Sequence, residues 1–414
     1  MLEQFFTSPR RVQALRNGPS GSLLDGFAQE LWKAGYAECT ARARIRAAEH
    51  LIYWADKEGV PGGSLNKQLI PRFDDHVSRC QCPAFSHTDR CDLLRGVRSF
   101  VGHICGAGVS LTRAAEPAEE PVLLTAFYAW MRQQRGTGDR SLCKYSIPLR
   151  DLLKRIGEDP GRLDAEGLRQ VVLERSQKDG WATAKRCTTA LRMFLRFLIA
   201  EGKCATGLDA AIPVVAHWRL SSLPRYLQAE EVERVIAACD PASPVGRRDR
   251  AIVLLLARLG LRAGDIVRLR LADIDWKAAC VSVSGKSAHE TRLPLTQEVG
   301  QAVVDYLQDG RPQAGTDALF LRSQAPFRAF ANHAAVTMIA KQAMRRAGVT
   351  CPSGGAAHVL RHSVATSMLR QGASLQDIAA ILRHRSIQTT QIYAKVDVNA
   401  LHKIAQPWPE VQPC

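Results

Sequence analysis

The sequence predicts a mainly α protein with a small β-sheet toward its C-terminal end. Three observations support this. Apolar residues recur at mixed three- and four-residue intervals in segments such as HVLRHSVATSMLRQG, where Val359, Leu360, Val364, Met368 and Leu369 mark the pattern. Two segments, CVSVS and TRLPL, alternate with the period of a strand. Finally, two stretches of the N-terminal half look alike, as repeated helical modules do.

The first stretch begins LLDGFAQELWKAGY at Leu23 and the second LLTAFYAWMRQQRG at Leu123. Both open with two leucines and a phenylalanine, Phe27 and Phe127, and run into an amphipathic helix. Further on, RSFVGHICGAG from Arg98 and RMFLRFLIAEG from Arg192 share arginine, phenylalanine and a terminal glycine at equal offsets. The pattern implies an additional N-terminal helical domain over 1–115 and a second helical domain over 116–205. Arg42, Arg44 and Arg46 alternate at i, i+2, so they cannot form one basic stripe on a helix. Residues 206–222 lack clean periodicity and carry a proline, and read as a linker.

The region 223–398 follows. CVSVS and TRLPL read as a hairpin with Gly285 near its turn and Lys286 beside it. His358 and Arg361 stand at i and i+3, neighbours on one helical face, and Gly372 is the expected stop of that helix. Ser374 followed by Asp377 reads as a capping box that opens another helix, ending near His384. Tyr393 then falls on a further helical stretch, and PWP ends helical structure in the tail, 399–414.

Arg262 in LGLRAGD, Lys286 in VSGKSAH, His358 and Arg361 in HVLRH, and His384 and Tyr393 in LRHRSIQTTQIY occur in that order. The ordered set resembles the tyrosine recombinase (phage integrase) family, in particular its Xer-like site-specific recombinases. The match runs from about Leu223 to Pro409, including LPRYLQAEEV at its start. The resemblance implies a site-specific recombinase or integrase that cuts and rejoins DNA through a 3′-phosphotyrosyl intermediate, as mobile elements use for integration, excision or transposition. It implies a catalytic domain at 223–398, a core-binding domain at 116–205, and a C-shaped clamp closed around double-stranded DNA. It further implies four protomers in the synaptic complex, with related recombinases or accessory factors as further partners. The tail would dock on a neighbouring subunit. No cofactor is implied.

Chemistry favours the same residues. Breaking a strand while conserving its bond energy needs a covalent intermediate, and a tyrosine hydroxyl is a suitable nucleophile toward phosphorus. Arg262 and Arg361 suit the charge that builds on the non-bridging oxygens, because a guanidinium offers parallel donors and stays protonated. Lys286 can protonate the leaving 5′ oxygen, and a hairpin tip would carry it to a DNA groove. His362, next to Arg361, reads as structural. Two positions depart from the family pattern. Arg383 stands where glycine is usual, and Lys395 where histidine often follows the nucleophile. A positive φ at 383 would cost an arginine about 1 kcal/mol, and its side chain could instead add a phosphate contact.

The 414 residues carry a formal net charge of +16, which favours a polyanionic partner, nucleic acid above all. The longest apolar run, AIVLLLA, is too short to span a bilayer, and the N-terminus lacks a signal-peptide core. A cytoplasmic, nucleoid-associated protein is expected, with its 12 cysteines reduced. Cys80, Cys82, His87 and Cys91 bring four soft ligands together, but C-x-C is tighter than the common zinc knuckle, so ordinary loop cysteines and no metal are expected. Two other readings are a relaxing enzyme of the type IB topoisomerase kind and a catalytically decayed DNA-binding accessory protein.

Overall fold

In a computed structural model, the protein is described over residues 1–83, 85, 89–106, 120–157, 159–214, 223–284, 290–352, 355–384, 386–397, 401–402 and 405. It forms two compact units, one of residues 113–221 and one that joins 1–112 to 222–414. The predicted N-terminal domain therefore belongs with the C-terminal region rather than standing apart. The reason is visible at Gly35, whose φ is +75° and where an added Cβ would lie 2.4 Å from the Phe327 ring. Ala325 also packs on the N-terminal core.

That N-terminal part contains α1 (Pro9–Asn17), α2 (Gly21–Lys33), α3 (Glu38–Lys57), α4 (Leu69–Val77) and α5 (Arg90–Ile104). Leu24, Phe27 and Leu31 on α2 and Val97, Phe100 and Val101 on α5 are buried. The Phe27 and Phe100 rings meet edge to face, centroids 5.2 Å apart. Two basic residues of α3 reach local partners, while Arg46 is exposed. Arg42 donates from Nε to the Phe5 carbonyl, and Arg44 donates from Nη1 to the Ser99 hydroxyl (2.8 Å).

The 113–221 unit repeats the plan with α6 (Val122–Arg135), α7 (Asp139–Ile156), α8 (Ala165–Asp179) and α9 (Trp181–Ala200). Leu124, Phe127 and Met131 are buried on its first helix, and Leu191, Phe194 and Leu195 on its last. Phe127 and Phe194 again meet edge to face, at 5.5 Å. The resemblance seen in the sequence is therefore carried by the same core positions of both bundles. The expected linker starts later than residue 206. A 3-10 turn, Leu208–Ala211, packs on this bundle, Ile212 is buried in it, and Arg192 donates from Nη2 to the Ile212 carbonyl (2.8 Å). Residues 215–222 lie outside the described residues.

The C-terminal region is built around α11 (Pro244–Ala257), which follows α10 (Ala229–Ala237). Ala251 to Ala257 are all buried, so AIVLLLA is a central core helix, apolar on every side. After α12 (Ala263–Arg268) come β1 (Ile274–Asp275), β2 (Cys280–Ser284) and β3 (Glu290–Pro294), an antiparallel sheet in that order. Val281 pairs with Leu293 and Ser284 with Glu290, which gives the predicted hairpin. Four helices complete the region: α13 (Gln297–Asp309), α14 (His333–Arg346), α15 (Ala356–Arg370) and α16 (Leu375–Ile381). Ser374 and Asp377 form the expected capping box of α16. Among the described residues, no helix is long and apolar enough to cross a membrane.

Candidate active site

Two chain turns and a helix are brought together by one buried guanidinium. Arg361, on α15 and 2% exposed, donates to the carbonyls of Gly260, after α11, and Leu382, after α16. Gly260 takes φ +58°, and a Cβ there would lie 2.8 Å from Leu382. Burial, then the neighbouring Arg262 and Arg383, push the Arg361 pKa down to about 9, so it remains a cation at neutral pH. Arg262 is the residue before α12 and donates from Nη2 to the Arg383 carbonyl (2.9 Å). Buried Asp265 accepts from Arg383 (2.6 Å), Arg268 (2.7 Å) and the Arg262 backbone N–H (3.3 Å).

Arg383 does adopt the positive φ, +53°. Its side chain is only 8% exposed and is paired with Asp265, so it does not lie open for the phosphate contact considered from the sequence. Its Nε and Nη1 are buried without a hydrogen-bond partner. The ion pair with Asp265 holds the strained residue in place where glycine would need no such help.

Tyr393 sits on a 3-10 segment, Gln391–Val396, with 1% of its surface exposed. Its hydroxyl is 2.7 Å from Nδ1 of His362. Burial lifts the phenol to about 12, against the pull of Arg361. His362 is lowered to about 4, first by burial and then by His358, Arg361 and His384. His384 is likewise lowered to about 4, by burial and then Arg361, and its Nδ1 is 2.8 Å from the Thr390 hydroxyl. His358 is exposed on α15, its ring edge-on to His362 at 4.4 Å. Arg262, His358, Arg361, His384 and Tyr393 thus share one neighbourhood, while Lys286 lies outside the described residues.

His362 is the residue whose setting the sequence reading missed, because it touches the phenol hydroxyl directly. The signal was available. His358, Arg361 and His362 stand at i, i+3 and i+4, on one helical face.

The cysteine cluster takes a different form from the expected one. Asp89 caps α5 and accepts from the Cys91 N–H, which leaves Cys91 exposed in the first turn. His87 lies outside the described residues. Cys80 and Cys82 instead meet His50 from α3 and His76 from α4. The tail, apart from Leu401, His402 and Ala405, is also outside the described residues.

Residues 225–400 match the model of the phage integrase family. An integrase/recombinase of Sinorhizobium fredii (strain NBRC 101917 / NGR234), y4rA, is 34% identical over 396 residues, covering 95% of each chain. The tyrosine recombinase XerD of Lacticaseibacillus casei is 30% identical over 275 residues, 65% of this chain and 84% of its own. In fold, the protein is similar to the XerH site-specific recombinase in its post-cleavage complex with palindromic difH substrate. That similarity has a TM-score of 0.56 at 18% identity, over 82% of this chain and 95% of the other. A full-length relative together with the family match over the site-bearing region settles the affiliation: the chain belongs to the phage integrase family of tyrosine recombinases.

Proposed function

We propose that this recombinase cuts and rejoins DNA at specific sites with Tyr393 as nucleophile. Its oxygen attacks the scissile phosphorus, a 3′-phosphotyrosyl bond forms, and the 5′ oxygen leaves as a hydroxyl. The observation that carries this reading is the convergence of Arg262 and Arg361 beside Tyr393, with Arg361 held below its ordinary pKa partly by its cationic neighbours. Crowded guanidiniums favour an anion between them, and the charge they meet grows in the transition state. His362, neutral at pH 7 and in contact with the phenol, is placed to accept its proton. His384 can donate a hydrogen bond to a non-bridging oxygen. Lys286 is assigned the proton for the leaving oxygen, on the ground of its family resemblance. Attack by a partner strand's hydroxyl then releases Tyr393 and joins the new strands.

Phosphate contacts would supply most of the affinity for duplex DNA, consistent with the +16 charge, and few base contacts would select the site. Each chain carries one such tyrosine, and exchanging two duplexes requires cleavage of four strands. A four-protomer synapse is the assembly that meets this need. Integration, excision and transposition of a mobile element share this chemistry.

A nicked suicide substrate, which loses its short leaving strand after cleavage, tests the assignment. Wild-type protein should accumulate a covalent adduct, while Tyr393→Phe should bind the same DNA with near-normal affinity and form none. Adduct formation by Tyr393→Phe would remove this residue from the role.

A further inference from the structure

The N-terminal helical part contains a group of side chains that recombination chemistry does not use. Among the described residues, His50, His76, Cys80 and Cys82 form the one group of three or more metal-capable side chains whose ligand atoms converge. We propose that these four residues form a closed structural zinc site that ties α3 and α4 to the chain leading into α5.

The geometry is close to what a tetrahedral ion requires. The four donor atoms all lie within 4.8 Å of one another. Cys80 Sγ is 3.3 Å from His50 Nε2, and Cys82 Sγ is 3.4 Å from His76 Nε2. Nitrogen and sulfur ligands at about 2.0–2.3 Å from a tetrahedral zinc stand about 3.3–3.8 Å apart, so a small inward adjustment completes the site. Two imidazoles and two thiols form a Cys2His2 set, whose closed coordination fits a structural rather than a catalytic zinc.

The elements also explain why the tight C-x-C spacing is no obstacle. Consecutive knuckle ligands need C-x2-C only when one turn must supply both from its own curvature. Here His76 comes from the last turn of α4 and His50 from the middle of α3, so the loop only has to present two sulfurs toward them. The Cys82 backbone N–H already points at Cys80 Sγ (3.4 Å), which fixes the orientation of the two sulfurs in the loop.

His50 anchors the group from the core side, while His76, Cys80 and Cys82 are half-buried. His50 is 2% exposed, stacks on Phe85 with centroids 4.3 Å apart, and meets Phe73 edge-on at 5.1 Å. Trp54 lies beside His76 at 5.8 Å. An aromatic shell limits water and strengthens the bond between a dication and two thiolates. Cys91 is excluded from the set, since it is exposed in the first turn of α5.

The test uses the full-length protein. Purified from zinc-supplemented cells, it should retain about one zinc per chain. After chelation, added cobalt(II) should give the intense visible bands of a tetrahedral site and a thiolate charge-transfer band. Cys82→Ser should abolish or strongly weaken both, whereas Cys91→Ser should leave them unchanged. Alkylation mapped by mass spectrometry covers the case in which Cys82→Ser does not fold. In wild-type protein, chelation should make Cys80 and Cys82 reactive, with no change at Cys91. Absence of retained zinc together with no tetrahedral cobalt spectrum overturns the proposal. Metal binding that leaves Cys80 and Cys82 equally reactive with and without chelator overturns the ligand set.

Discussion

Arg361 donates to two backbone carbonyls, which fixes its guanidinium in place. Arg361→Lys keeps a cation but loses the fork. Cleavage of a suicide substrate should fall by roughly 10² or more, with a much smaller loss in binding. A variant within about threefold of wild type would put Arg361 outside the reacting centre. The histidines give a second expectation at this scale. His362 and His384 bind protons far more weakly in the folded chain, at about 4, than at their ordinary 6.5. Their contribution to stability is therefore complete above pH 6.5 and is lost as pH falls toward 4. The melting temperature of wild-type protein should drop across that window, and a His362→Gln/His384→Gln variant should drop less steeply. Parallel curves would mean that other groups control the acid transition. The ordered series Arg262, Lys286, His358, Arg361, His384 and Tyr393 stands out in the sequence because a chemistry that needs several side-chain types leaves an ordered trace. The spacing of His358, Arg361 and His362 marked their shared face, but the contact of His362 with the phenol depends on where the chain returns with Tyr393.

The turn at Gly260 joins α11 to the catalytic cluster, and its shape is set by the backbone. An alanine there would take a left-handed conformation at about 1–2 kcal/mol and push into Leu382, whose carbonyl holds Arg361. Gly260→Ala should destabilise the protein by at least that amount and reduce cleavage beyond what the lost stability explains. Chemical denaturation alongside single-turnover cleavage would separate the two effects. Activity that tracks the folded fraction alone would show that the turn does not position Arg361. The hairpin and the capping box of α16 were readable locally, because strand alternation and Ser–Asp spacing are short-range signals. Two element-level features escaped. The turn Leu208–Ala211 looked like linker because its few apolar residues are anchored by tertiary contacts, and Arg383 hides its strain behind Asp265, far away in sequence.

At the scale of the whole chain, the paired Phe27–Phe100 and Phe127–Phe194 contacts make the two helical bundles structural counterparts. The N-terminal copy has its own buried core, but it shares a unit with residues 222–414 through Phe327 and Ala325. A chain beginning at Pro117 should fold and form the covalent adduct on a short core site, since the sextet is intact. Exposing Phe327 should make it less soluble. A shorter footprint with shallower salt dependence would assign phosphate contacts to the missing part. An unchanged footprint with failed strand exchange would assign protein contacts. Loss of adduct formation would mean that residues 1–112 are needed to hold the catalytic region in shape. The likeness of the two helical stretches was legible because their buried positions repeat in spacing. The association of the first with the C-terminal region was not, because a glycine receiving a phenylalanine ring leaves no periodic mark.

The burial of Tyr393 bears on how a cutting enzyme lives safely on a chromosome. A basic protein is drawn to any stretch of duplex, so most of its encounters are with bystander DNA. If Tyr393 is the nucleophile, its phenol, 1% exposed, has to come to the surface through a shift of the Gln391–Val396 segment before such an encounter can lead to a nick. Under that assignment, burial of the phenol would keep the free chain latent on bystander duplex.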